Sequence, residues 1–160
     1  RRTASIPLDV PMGRTPVTDG CFQPRNEEIT MKILVGYDGT NSAKEALNLA
    51  KTHAKLFGAT VDVVTSMEKG TEGQREQIEQ AEHGLEWAKS LFVESGIACN
   101  THLLIRGLAP GEDIVEFAEE SKTDEIVIGV KRRSKVSKLL LGSTAQYVIL
   151  QATCPVVSVK

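Results

Sequence analysis

The chain has 160 residues, a length that suits one domain with its own hydrophobic core and is short for two. Hydrophobic residues make up 41% of it and aromatic residues only 4%, so the core must be built from aliphatic side chains. The net charge of −2 at pH 7 argues against a general nucleic-acid-binding or membrane-binding protein, although it leaves room for one local basic patch.

Residues 1–30 differ from the rest of the chain. They hold four of the six prolines and show neither the alternation of a strand nor the periodicity of a helix. We predict that they form an extended or disordered arm, either native or a cloning remnant. A single domain is predicted over residues 31–160.

From Met31 onward, short apolar segments alternate with amphipathic segments. In the first amphipathic segment, Ser42 and Glu45 have the spacing of a capping box, Gly58 has the character of a helix stop, and Phe57 extends the apolar stripe. The predicted strands cover residues 32–37, 59–67, 98–106, 124–130 and 154–160, and the predicted helices cover residues 41–57, 74–95, 110–121 and 143–151.

This alternation predicts an α/β fold: one doubly wound domain with a parallel sheet and helices on both faces. The strand segments are almost continuously apolar, which is typical of parallel strands buried on both sides. Sheets of this size commonly have the order 3-2-1-4-5 or 2-1-3-4-5, and we predict the first. The chain then reverses direction between strands 1 and 4, and ligands usually bind in the crevice at the carboxyl ends of such strands.

The loop after strand 4 leads into Gly142, Ser143 and Thr144 at the predicted start of the fourth helix. A helix N-terminus carries unpaired N–H groups and attracts anions, so this segment is a candidate phosphate site. A second interpretation is equally open, because Ser143 and Gln146 have the spacing of a capping box that needs no ligand. Neither of the common glycine-rich phosphate motifs is present.

The same loop is strongly basic. Such a run is usually only solvated, but beside a helix N-terminus it attracts polyanions, and it would also suit an acidic protein partner. The basic residues are Lys131, Arg132, Arg133, Lys135 and Lys138.

Asp38 follows strand 1 and precedes Gly39. A carboxylate at this position can accept hydrogen bonds from ribose hydroxyls or hold a nucleotide-bound Mg²⁺ through water. The alternative is a structural role, in which Asp38 shapes the Asp-Gly turn or caps the following helix.

Three stretches give the chain a family resemblance that covers residues 31–160. "ILVGYDGTNSAKEAL", "GLAPGEDIVEFAEE" and "LLLGSTAQYVI" followed by "CPVVSV" resemble the universal stress protein family. The ATP-binding branch of that family has the loop pattern G-x2-G-x9-G-[ST]. Gly129, Gly142 and Ser143 match it, whereas Arg132 stands at the middle glycine. Such an arginine either closes the space for phosphates or supplies a charge to them.

The resemblance implies that the chain binds ATP, or AMP or ADP, with Mg²⁺ held indirectly by Asp38. Gly36 stands where the family usually has proline, and Ser66 where it usually has an apolar residue. The residues implied in binding are Gly36, Tyr37, Asp38, Ser66, Ile128, Gly129, Arg132, Gly142, Ser143 and Thr144.

The resemblance also implies a stress sensor or regulator that forms a homodimer through its last strand, "VVSVK", which lacks the proline or inward charge that blocks an edge. The alternative is a nucleotide-free interaction module that docks through its basic loop. No catalytic triad or paired carboxylates indicate an enzyme, and slow ATP hydrolysis or autophosphorylation stays open.

The remaining expectations concern location. Cys21, Cys99 and Cys154 are scattered and form no metal-binding pair, which suits a reducing compartment. No apolar run reaches the roughly 20 residues of a membrane span, and no secretory signal is evident. We expect a cytoplasmic protein without nucleic-acid or membrane partners.

Overall fold

A computed structural model of the chain describes residues 30–68, 74–130 and 141–160. These segments form five strands that alternate with four helices, as the sequence predicts. The strands are β1 (Lys32–Gly36), β2 (Thr60–Ser66), β3 (Cys99–Leu104), β4 (Glu125–Gly129) and β5 (Val156–Val159). The helices are α1 (Asn41–Phe57), α2 (Arg75–Val93), α3 (Pro110–Ser121) and α4 (Ser143–Gln151).

The strands form one parallel sheet in the order β3-β2-β1-β4-β5. The predicted α/β fold and strand order are therefore confirmed. β1 lies in the centre, where Val35 is paired with Val63 of β2 on one side and Val127 of β4 on the other. The chain reverses its direction of winding at β1 and β4, so a crevice opens at their carboxyl ends.

Side chains of alternate strand residues fill two separate core layers. Ile33, Val35 and Val63 face the layer under α1 and α2. Leu34 and Ile126 face the layer under α3 and α4. Burial on both faces explains why the strands are continuously apolar. None of the helices in the described segments is long and apolar enough to cross a bilayer.

The start of α1 differs from the prediction. Its N-cap is Thr40, whose hydroxyl oxygen accepts the Ala43 N–H at 3.4 Å, so the predicted Ser42–Glu45 capping box is wrong. Asp38 explains the shift, because its carboxylate holds Thr40 in the capping conformation. The predicted stop is confirmed: Gly58 has a φ of 63° and donates its N–H to Ala54 O.

The predicted burial of Phe57 is also wrong, since 58% of the residue is exposed. Its ring lies edge-on to His53 instead, with 5.9 Å between the ring centroids. His53 in turn lies with Nδ1 2.6 Å from Oε1 of Glu125, which is buried at the start of β4. This contact between residues 72 positions apart joins α1 to the amino end of the sheet, and no sequence pattern signals it.

Gly129, the last residue of β4, lies directly under the first turn of α1. A Cβ added to Gly129 would lie 2.4 Å from the carbonyl carbon of Ser42 and 2.5 Å from the Ala43 nitrogen. Real Cβ atoms do not approach backbone this closely, so only glycine fits without a shift of the helix. This contact places the α1 N-terminus at the crevice.

We expect Gly129→Ala to lower the free energy of unfolding by about 1–3 kcal/mol, because α1 must move away from the sheet to admit the methyl group. The measurement is urea denaturation followed by circular dichroism. Gly142→Ser is the control, since a Cβ there meets nothing within 4 Å and its φ of −63° suits any residue. Equal stability of the two variants would show that the α1 contact does not constrain residue 129.

Candidate functional site

A cleft of about 300 Å³ lies at the carboxyl ends of β1 and β4. Its floor comes from the ends of β1, β2 and β4, and its walls come from the first turns of α1, α3 and α4. The lining residues are Gly36, Tyr37, Asp38, Ala43, Val64, Ser66, Pro110, Ile114, Ile128, Gly129, Gly142, Ser143, Thr144 and Ala145.

The first turn of α4 forms one end of the cleft. Gly142 is the N-cap of α4, with extended backbone (φ −63°, ψ 153°), and no side chain caps the helix. The capping box predicted for Ser143 and Gln146 is therefore wrong, because Ser143 already lies inside the helix. Since first-turn N–H groups have no partner within their own helix, this end of the cleft attracts anions.

Aliphatic side chains surround the cleft at Gly36. A Cβ at Gly36 would lie 3.3 Å from both Ile114 Cδ1 and Ile128 Cγ2. These isoleucines are buried and belong to the core layer under α3 and α4. The missing side chain of Gly36 therefore widens the space between two aliphatic walls, which suits a flat apolar group of a ligand.

Asp38 is exposed at the mouth of the cleft and has a structural role. Its Oδ1 accepts the Thr40 N–H at 3.1 Å and the Thr40 hydroxyl at 2.5 Å, while Gly39 adopts a φ of 77°. The predicted turn-shaping role is thus present. Asp38 also lines the cleft, so the predicted ligand-binding role stays a prediction beside the structural one.

Tyr37 is only 7% exposed, and its ring packs toward α2. Gly84 leaves room for it, since a Cβ there would lie 3.1 Å from Tyr37 Cε1, and Trp87 lies beside it with 6.2 Å between ring centroids. Burial and, to a smaller extent, the nearby charge of Asp38 raise the pKa of the Tyr37 hydroxyl. The ring therefore anchors this loop to the core as a neutral group.

Ser66 forms the opposite end of the cleft from α4. Its hydroxyl donates a hydrogen bond of 2.6 Å to Oδ2 of Asp113, a residue of α3 with no exposed surface. Oδ1 of Asp113 lies 3.4 Å from Arg106 Nε. A hydrogen bond to Glu120 is the main factor that raises the pKa of the Arg106 guanidinium, so this group keeps its charge beside Asp113.

The cleft brings together nine of the ten predicted binding residues: Gly36, Tyr37, Asp38, Ser66, Ile128, Gly129, Gly142, Ser143 and Thr144. Arg132 and the other basic residues of its loop lie outside the described residues. Sequence reasoning missed Ala43, Val64, Pro110, Ile114 and Ala145, and it missed Asp113 behind Ser66. An acidic residue near a helix start normally indicates a favourable dipole interaction, so Asp113 gives no sign of burial in the sequence.

A metal site built by the protein alone is not found in the segments that the structure describes, where no group of three or more His, Cys, Asp or Glu side chains converges. Cys99 and Cys154 are both free thiols. Burial raises the pKa of Cys99 to about 11, so it behaves as a small apolar residue of the core.

Comparison with known proteins agrees with this geometry. The model of the universal stress protein family matches residues 30–160. A universal stress protein of Methanocaldococcus jannaschii is 36% identical over 145 residues, which is 84% of each chain. A solved universal stress protein of Archaeoglobus fulgidus is 41% identical, with a TM-score of 0.75 over 82% of this chain and 100% of that one.

A further solved structure is a universal stress protein from Archaeoglobus fulgidus in complex with dAMP. It is 38% identical to this chain, with a TM-score of 0.71 over 82% of this chain and 99% of that one. The family resemblance seen in the sequence is therefore confirmed. The chain belongs to the universal stress protein family.

Proposed function

We propose that the protein binds an adenine nucleotide, ATP or its mono- or diphosphate, in this cleft. The observation that carries the proposal is the α4 N-terminus, which opens into the cleft without a side-chain cap. The dAMP complex of the 38% identical relative supports an adenine nucleotide as the ligand. The phosphates would bind the N–H groups and hydroxyls of Ser143 and Thr144, where Gly142 leaves open space.

The remaining lining fixes the orientation of such a ligand. With the phosphates at α4, the ribose would lie across Ile128 and Gly129 and the base between Gly36 and Ser66. A bound Mg²⁺ would neutralise the phosphates and would be held through water by Asp38, an exposed residue that lines the cleft. The protein contributes binding and orientation, and we propose a sensor or regulator in the cytoplasm.

We expect Gly142→Asp to weaken ATP binding about tenfold or more, since it places a carboxylate where the phosphates bind. The same change should leave the free protein as stable or slightly more stable, because aspartate is a favoured N-cap residue. Gly142→Asn is the matched control, with the same size and capping ability but no charge. Calorimetric titration with Mg·ATP measures the affinity, and mass spectrometry of denatured protein identifies any nucleotide that co-purifies.

If the Asp and Asn variants bind ATP alike, the phosphates do not lie at α4. If wild-type protein carries no nucleotide and binds none up to millimolar ATP, the nucleotide proposal is wrong. The nucleotide-free docking module would then be the better hypothesis.

We expect Asp38→Asn to remove most of the Mg²⁺ dependence of ATP binding while AMP binding without Mg²⁺ stays the same or improves slightly. The asparagine oxygen can still accept the Thr40 N–H, so the turn survives and only the charge is lost. Titration of both variants with ATP, with and without Mg²⁺, measures the difference. An unchanged Mg²⁺ dependence would remove Asp38 from the proposed metal environment.

We also propose that the protein forms a homodimer through β5, an edge strand of the sheet. Ile126 N–H donates to Pro155 O and Val130 N–H to Val159 O, so Pro155, Val157 and Val159 use their backbone groups on β4. Backbone groups of the intervening Val156 and Ser158 then point away from the sheet, available to a second strand. Helix α4 directly precedes β5 in the chain, and its apolar residue Leu150 is 68% exposed.

We expect Ser158→Pro to convert the dimer to a monomer. Proline removes the outward N–H of Ser158 and leaves the bonds between β4 and β5 intact, as proline at a sheet edge does. Light scattering after size-exclusion chromatography measures the mass, and Ser158→Val serves as the control with an intact N–H. A Ser158→Pro protein that remains dimeric would place the interface elsewhere.

A further inference from the structure

Ser66 and the α4 N-terminus lie at opposite ends of the cleft. Ser66 is the last residue of β2, whereas Gly142 precedes α4, the helix that connects β4 to β5, and β1 lies between β2 and β4 in the sheet. Neighbouring strands are about 4.8 Å apart, so the carboxyl ends of β2 and β4 are separated by roughly 10 Å. In the proposed binding mode, a nucleotide with its phosphates at α4 has its base toward Ser66, which lines the same cleft.

The hydroxyl of Ser66 has a fixed orientation. A serine hydroxyl carries one hydrogen and two acceptor lone pairs. The hydrogen is used in the 2.6 Å bond to Asp113, because a carboxylate can only accept. Within the described part of the chain, Asp113 is the only hydrogen-bond partner of this hydroxyl, so Ser66 offers the cleft an acceptor and no donor.

The burial of Asp113 favours this orientation, because a buried carboxylate needs the hydrogen that Ser66 donates. Asp113 has no exposed surface, and its N–H bonds to Ala109 O within the first turns of α3 at 3.0 Å. Its second oxygen lies 3.4 Å from Arg106 Nε, and Arg106 is itself bonded to Glu120 at 3.0 Å. Oδ1 has no hydrogen-bond partner in the described residues and only faces the charge of Arg106, so the bond from Ser66 to Oδ2 is the one hydrogen bond that the carboxylate would lose by turning away.

We propose that Ser66, oriented by Asp113, is a specificity-determining residue that accepts a hydrogen bond from the exocyclic amino group of the bound base. This selects adenine against hypoxanthine, whose carbonyl at the same position would bring two oxygens together with no hydrogen between them. The inference rests on the proposed nucleotide binding and assigns a function to the serine that replaces an apolar residue of the family pattern.

The test compares three monophosphates that share ribose and phosphate: AMP, IMP and purine riboside 5′-monophosphate, which has no group at position 6. Calorimetric titration of the full chain should give AMP binding about ten- to a hundredfold tighter than IMP, the range expected for an unpaired polar group in a buried site. The purine analogue should lie between them, because it loses the hydrogen bond without opposing two oxygens.

Two variants assign this selectivity to the pair. Ser66→Ala should bring the AMP/IMP affinity ratio close to one. Asp113→Asn should lower or reverse it, because an amide can donate to Ser66 Oγ and so free the hydroxyl hydrogen to point into the cleft. Thr65→Val is the control: it deletes the neighbouring hydroxyl of β2, which bonds to Tyr37 O and does not line the cleft, and should keep the wild-type ratio.

Thermal melting establishes whether each variant folds. If Asp113→Asn does not fold, the Ser66→Ala variant alone decides the outcome. Equal binding of AMP and IMP by wild-type protein, or a wild-type ratio in Ser66→Ala, would overturn the specificity proposal and leave nucleotide binding intact. Failure of all three monophosphates to bind would overturn nucleotide binding itself, and the specificity proposal with it.

Discussion

The close approach of β4 to the first turn of α1 at Gly129 is the constraint on which the cleft depends. Only a residue without a side chain lets the Ser42 and Ala43 backbone lie against the end of the strand. That contact fixes the turn from Asp38 to Thr40, which precedes α1, beside the carboxyl ends of β1 and β4. Gly129 thus has a packing reason to be glycine that is independent of any ligand, although a loop motif alone would suggest phosphate contact.

The cleft has three environments along its length, in the same order as the phosphates, ribose and base of the proposed nucleotide. An uncapped helix N-terminus lies at one end, two aliphatic walls lie in the middle, and an oriented hydroxyl lies at the other end. The three environments come from different parts of the chain, and the parallel sheet brings them together because each strand ends at the same edge. Small polar and glycine residues at strand ends can therefore create a site without any change in the core.

The sequence predicted the sheet well because its strands are buried on both faces and separated by long amphipathic helices. It also predicted most of the strand-end residues that line the cleft, since the strand order places those ends side by side. It failed where a single side chain decides between two local structures. Thr40 rather than Ser42 is the N-cap of α1, because Asp38 bonds to Thr40. Asp113 bonds to a residue 47 positions away, and His53 contacts one 72 positions away. Contacts of that range leave no local pattern.

Asp113 also bears on why the cleft has this composition. A buried carboxylate is costly to desolvate, and a buried ion pair can often be replaced by apolar residues without loss of stability. An apolar residue in place of Ser66 would remove the hydroxyl that Asp113 now accepts from, and an apolar residue in place of Asp113 would leave Arg106 to Glu116 and Glu120 on the surface. Ser66 thus stabilises Asp113 once Asp113 is buried, but replacing both residues by apolar ones would remove the need, so stability alone does not require the pair. The proposed specificity role would account for it, because a hydroxyl whose hydrogen is bonded to Asp113 offers a ligand only an acceptor.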